Sequence, residues 1–182
     1  MGRLVRPPAE ITDAIRDLIQ RLLGERVEAV FVYGSVAAGA ATPHSDIDTF
    51  VISRVELPHQ AAVEFRAECI RLQVELGYKP DLEYPVEIFS VRGCVDALHE
   101  VLTLRALTTA ARGEVLDAMT HSSDCLEVLR ALLYPRLVVI DSPVLDSLTR
   151  LAAGRVDRTA RTHGVGPDAL RTRIGVKWLT AV

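Results

Sequence analysis

The sequence predicts an α/β (α+β) chain: a mixed β-sheet core flanked by helices, with a short helical C-terminal lobe. Three observations carry this. Strand-like runs alternate with helical ones along the chain. The first two strands are joined by a segment too short for a classical parallel crossover, so the sheet is expected to be mixed. The 182 residues, 49% apolar and 25% charged, make one domain with a real core, or a core and a small second lobe, and are too few for two full domains. The expected division is a core over residues 1–150 and a helical extension over 151–182.

The elements follow in order. Ala9 to Leu23 places Ile11, Ile15, Leu18, Ile19 and Leu22 at helical spacing, with Thr12 or Pro8 marking its start and Gly24 at its end. Val27 to Tyr33 is β-branched and aromatic and reads as a strand. A Gly- and Ala-rich segment, Gly34 to Pro43, leads to a second strand from Asp46 to Ser53. Gln60 to Leu76 returns to helical spacing and stops at Gly77. A third strand spans Tyr84 to Val91, where Pro85 fits the first position or an edge better than the middle. Helices are expected from Val95 to about Ala111 and from Asp124 to Leu133, then a strand from Arg136 to Ile140. Asp141-Ser142-Pro143 opens a helix from Val144 to Ala153, with a side-chain cap and a proline just inside. The pattern weakens from Gly154, and Asp168 to Leu179 is expected as a final basic helix carrying Arg171, Arg173 and Lys177.

Composition narrows the function. A formal charge of −3 argues against a non-specific nucleic-acid binder, which needs a strong basic field. No apolar run approaches the roughly 18 residues of a membrane span. Met1 to Pro8 lacks the apolar stretch of a signal peptide. A cytoplasmic protein with neither nucleic-acid nor membrane partner is the expectation. Of the 21 basic residues 19 are arginine, which sets Lys79 and Lys177 apart. Cys69, Cys94 and Cys125 are widely spaced in apolar surroundings and are expected as buried free thiols. The histidines lack zinc spacing; His44 is expected to be a loop residue without a role, the loop pair Tyr78-Lys79 fits a contact to nucleotide or acceptor and a loop without a ligand equally well, and Trp178 is expected as a core or interface anchor.

The chemistry concentrates in Gly34-Ser35-Val36-Ala37-Ala38-Gly39, followed by Ser45-Asp46-Ile47-Asp48. Gly34 ends a buried strand and permits the sharp turn by which backbone approaches a phosphate closely. Ser35 opens a short helix whose free N–H groups and hydroxyl suit an anionic oxygen. Asp46 and Asp48, two apart on a strand, leave the same face and form a site for Mg²⁺ shared between protein and nucleotide. A third carboxylate on an adjacent strand would complete a two-metal site for phosphoryl displacement. Asp81, Glu83 and Glu87 are the candidates. Glu87 is preferred because it stands between Val86 and Ile88, and a charge between two apolar strand residues needs a partner.

Gly34-Ser35 with Ser45-Asp46-Ile47-Asp48 at this spacing resembles the signature of the DNA polymerase β-type nucleotidyltransferase superfamily. Pro85-Val86-Glu87-Ile88 makes the chain most similar, within it, to the streptomycin/spectinomycin adenylyltransferases. The resemblance covers roughly residues 24–150 and implies the superfamily's nucleotidyltransferase core. It further implies that Gly34 and Ser35 bind the β- and γ-phosphates, that Asp46 and Asp48 ligate two Mg²⁺ ions, and that Glu87 is the third carboxylate and general base. Ser45 would cap the turn before the strand. The implied reaction moves a nucleoside monophosphate, AMP from ATP, to a hydroxyl of a small-molecule acceptor such as an aminoglycoside, releasing pyrophosphate. The chain departs from these enzymes in its short C-terminal lobe. Lys177 is the expected basic contact to the triphosphate, and a homodimer is one way to complete the acceptor pocket. The alternatives are a minimal nucleotidyltransferase of a toxin–antitoxin pair acting on a protein partner, or a non-catalytic nucleotide-binding member.

Overall fold

A computed structural model describes residues 6–42, 44–99, 123–162, 164 and 166. In chain order the elements are α1 (Pro8–Leu22), a 3₁₀ turn (Gly24–Arg26), β1 (Val27–Val32), α2 (Gly34–Ala37), β2 (Thr49–Ser53) and α3 (His59–Leu76). They continue as β3 (Glu87–Ser90), α4 (Val91–His99), α5 (Ser123–Leu133), β4 (Leu137–Ile140) and α6 (Pro143–Thr162). The sheet runs β3-β2-β1-β4. β1 pairs antiparallel with β2 and β4, whereas β2 and β3, joined through α3, are parallel. The mixed sheet expected from the short first connection is what forms.

Alternation of side chains builds two cores from one sheet. Ala29, Phe31, Phe50 and Ile52 face α4, α5 and α6, meeting Leu98, Leu129 and Leu148. Val30, Val32 and Val51 face the other way, toward Ile11, Ile15 and Ile19 of α1 and Phe65 and Cys69 of α3. Burial on both faces explains why β1 reads as a nearly unbroken apolar run. Phe50 stacks between Phe31 and Phe89, at centroid distances of 5.3 and 5.4 Å. Cys69, Cys94 and Cys125 are buried free thiols, as expected, and burial pushes the Cys69 and Cys94 thiols up to about 12.

Several boundaries differ from the sequence expectation. β2 begins at Thr49, not Asp46: the register with β1 ends at Val32 opposite Thr49, and beyond Tyr33 the chain turns away at Gly34. β3 begins at Glu87, not Tyr84, because Pro85 has no N–H to give a ladder. Helix α4 starts at Val91, and residues 100–111 of the helix expected there lie outside the described residues. α6 passes through Gly154 to Thr162, where the sequence pattern had weakened. Ala152, Val156 and Ala160 keep an i, i+4 stripe buried in the first core, which outweighs the roughly 1 kcal/mol that a helical glycine costs. α6 therefore crosses residue 150 without a break. The basic helix expected over residues 168–179 lies outside the described residues.

Phe50→Ala removes the middle ring of the stack from a fully buried position and is expected to destabilise the protein by about 3–5 kcal/mol. A urea unfolding midpoint little changed from wild type would show that the three-ring stack does not anchor the core.

Candidate active site

The site starts where β1 ends. Gly34 has φ +69°, a left-handed conformation that also lets Asp48 come close. A Cβ at Gly34 would stand 1.9 Å from Asp48 Oδ2, so no side chain fits between them. Tyr33 N–H donates to the Asp48 carbonyl at 2.9 Å and fixes the second aspartate against the strand end. Ser35 lies in the first turn of α2, where its carbonyl accepts from Ala40 N–H. The connection is tied by Ser45, whose Oγ accepts from Thr42 N–H at 3.0 Å, the turn-capping role expected of it. His44 is exposed.

Asp46-Ile47-Asp48 is extended, though not paired as a strand. Ile47 is buried toward the α1/α3 core, and the two aspartates share the opposite side. There they line a cavity of about 360 Å³ together with Asp81, Glu87, Asp124 and Glu127, with Tyr33, Thr49, Tyr84 and Val86 between them. Of the three candidates for a third carboxylate, Glu87 and Asp81 reach this cavity, while Glu83 is exposed and is not among its lining residues. Asp81 also caps the turn before β3, its Oδ1 accepting from Glu83 N–H and Tyr84 N–H. Gly34 and Ser35 stand behind Asp48 and do not line the cavity. Lys177 lies outside the described residues. Tyr78 is buried in the core, and Lys79 is held through its N–H by the Ser45 carbonyl.

Two acids escaped the sequence reading. Asp124 and Glu127 come from α5, three residues apart and so on one helix face. That spacing was visible, but nothing in the sequence said that α5 brings the pair to the cavity. Glu127 pairs with Arg130 at 2.6 Å, and Arg130 is only 8% exposed, so this wall carries a half-buried ion pair.

Six carboxylates line one cavity, and for Asp46, Asp48 and Glu87 burial and acidic neighbours raise the proton affinity. Burial, then Asp46, Glu127 and Glu87, push Asp48 up to about 8. Burial, then Glu127, push Glu87 up to about 7 against the opposing charge of Arg66. Asp46 is raised by burial and by Asp81. Tyr33 is held well above its ordinary value, chiefly by burial. An oxygen-only, partly buried, negatively charged donor set is what a hard divalent cation such as Mg²⁺ takes, so the residues fit one in chemistry. Among the described residues no three acidic, His or Cys side chains are already gathered at ligating separation.

Residues 12–100 match the family model described as nucleotidyltransferase domain. The match supports the DNA polymerase β-type superfamily and a transferase of the NTP-transferring class. No curated protein matches the sequence. Among solved structures, the chain is similar to a toxin–antitoxin crystal structure with AMP-PNP, at 11% identity and a TM-score of 0.45, over 84% of this chain and 90% of that one. It is also similar to two mutant structures of the toxin–antitoxin MntA-HpeT, at 9% and 12% identity and TM-scores of 0.44, each over 84% of this chain and over 89% and 88% of theirs. At these scores the likeness carries no argument about what this chain binds. None of these proteins is described as an aminoglycoside adenylyltransferase, so that narrower resemblance rests on the sequence motif alone.

Two measurements test the site. Gly34→Ala drives a methyl into Asp48 and imposes a strained φ, and is expected to lower stability by about 1–2 kcal/mol while displacing the aspartate. A high-resolution structure of the variant with Asp48 unmoved would contradict this. The second concerns pH. With no cation bound, Asp48 and Glu87 have folded-state values above their ordinary 3.8 and 4.5, so the folded state binds more protons than the unfolded chain. The resulting stabilisation is complete below about pH 4 and is lost as the pH rises through about 7 to 8. The melting temperature in EDTA should therefore fall over that window, and Asp48→Asn should flatten the fall.

Proposed function

We propose that the protein is a metal-dependent nucleotidyltransferase that moves a nucleoside monophosphate, AMP from ATP, to an acceptor hydroxyl and releases pyrophosphate. The observation that carries the reading is the convergence of Asp46, Asp48 and Glu87 on one cavity, inside a segment that matches the nucleotidyltransferase domain. Asp46 and Asp48 would hold Mg²⁺, with Glu87 as the third ligand. Bound there, the ions supply positive charge that orients the triphosphate and offsets the charge developing on the transferred phosphate.

The chain's own residues do the rest. The Gly34-Ser35 turn, next to Asp48 but outside the cavity lining, would offer backbone N–H groups at the start of α2 to distal phosphates that reach past the cavity. Glu87 takes the proton from the acceptor hydroxyl as general base. Lys177 is assigned to the triphosphate, and its replacement by alanine would raise the KM for the nucleotide.

The acceptor in the main reading is a small molecule bearing a hydroxyl, and the acidic walls favour a cationic one. One observation favours a hydroxyl on a partner protein as the second reading. Between Asp81 and Tyr84, which line the cavity, Leu82 is 74% exposed, and Tyr84 itself is 63% exposed, so the rim offers apolar contact to a surface larger than a metabolite.

A pyrophosphate-release assay with each of the four NTPs and Mg²⁺ tests the reaction and sorts the acceptors, aminoglycosides and polyhydroxylated metabolites against a candidate partner chain. Asp46→Ala/Asp48→Ala is expected to lower the rate by about 10³-fold or more. Glu87→Gln should lower kcat by about 10²- to 10⁴-fold. Release that survives loss of both aspartates would sink the proposal.

A further inference from the structure

Gln73 is a polar residue where α3 should be apolar. It follows Phe65 and Cys69 on the buried stripe of the helix and is 4% exposed. Its Oε1 accepts from Ile47 N–H at 2.8 Å, and its Nε2 donates to the Pro85 carbonyl at 3.0 Å. Ile47 lies between the two aspartates, and Pro85 is two residues before Glu87. One primary amide therefore joins the two segments that carry the proposed catalytic acids.

The reason lies in the sheet. The parallel ladder of β2 and β3 pairs Phe50 with Glu87, so continuing it two residues back would set Asp48 beside Pro85. Pro85 has no N–H, and a regular ladder cannot continue there. The Gln73 amide has one donor face and one acceptor face, like a peptide group, and stands between the diverging strand ends as an inserted rung. Its own place is fixed by the end of α3. Gly77, at φ +92°, closes the helix so that Tyr78 N–H donates to the Gln73 carbonyl at 2.8 Å.

We propose that Gln73 is a positioning residue: its side-chain amide sets the separation between Asp46/Asp48 and Glu87. The assignment rests on the reading of those acids as one catalytic group, and the amide's effect on the two segments can be measured without it.

The test compares wild type with Gln73→Met, which keeps length and removes donor and acceptor, and with Gln73→Glu, which keeps an acceptor for Ile47 but as a carboxylate has no hydrogen for Pro85. Amide hydrogen exchange, followed by NMR on the folded proteins, reads the clamp directly. Gln73→Met should speed exchange at Ile47 and at residues 86–88 together, and Gln73→Glu at residues 86–88 alone. Acceleration of Ile47 with residues 86–88 unchanged in both variants would overturn the proposal, whether or not the protein transfers nucleotides. If Gln73→Met does not fold, Gln73→Glu alone decides by the same criterion.

Mn²⁺ alone, followed by electron paramagnetic resonance, gives a second reading. Its affinity should fall by about tenfold or more in Gln73→Met. In the transfer assay kcat should fall by about 100-fold with the nucleotide KM held within about threefold. A folded Gln73→Met with wild-type Mn²⁺ affinity and kcat would reduce Gln73 to a core hydrogen-bond former. Absence of Mn²⁺ binding and of transfer in the wild type would instead count against the proposed function, leaving the exchange data to decide on the clamp.

Discussion

Repulsion among half-buried carboxylates is the constraint to which the rest of this structure answers. Asp46, Asp48 and Glu87 each gain proton affinity from burial and from acidic neighbours, and α5 adds Asp124 and Glu127 to the same cavity. Left to relax, such a group would spread or take up protons. The fold resists spreading through its backbone: the aspartates stand at the end of a strand buried on both faces, Gly34 leaves no room for retreat, and Gln73 ties their segment to that of Glu87. Taking up protons, or a divalent cation, is then the relief that remains.

The sheet supplies the stiffness this requires. β1 is central, paired on both sides and covered by helices on both faces, so its end at Tyr33 is held by the sheet and by both cores. β2 inherits that rigidity through five paired positions, and β3 through four more. The aromatic stack of Phe31, Phe50 and Phe89 runs across the three strands on one face. Asp46 and Asp48 lie beyond the last rung and Glu87 on it, where the ladder ends and side chains turn to a cavity instead of a core. Paired strands bring them near one another, and the break in pairing gives them an opening to face.

Most of the architecture was legible because it follows from periodicity: the amphipathic stripe of α1, the β-branched run of β1 and the proline-opened start of α6 are local signals. The Gly34-Ser35 and Asp46/Asp48 pattern was legible because a glycine turn and two acids at alternate positions carry their own chemistry. The strand limits at Thr49 and Glu87 were less so, since they depend on which edge has a partner. Asp124 and Glu127 could be seen as helical acids, but their place at the cavity is set by tertiary packing. Gln73 did leave a trace. A glutamine on the stripe of Phe65, Cys69 and Leu76 breaks the apolar pattern, and buried amides in such positions need partners on both ends.

The three cysteines give the protein a chemical quietness. Each is enclosed, and burial holds the Cys69 and Cys94 thiols so far from ionisation that almost no thiolate forms at neutral pH. Oxidants and alkylating agents act on the thiolate, so shifts in the redox state of the surroundings pass the folded chain by. A single cysteine introduced at the exposed rim, in place of Leu82, would then be the one reactive thiol in the folded molecule, and a reporter attached there would follow the mouth of the cavity alone.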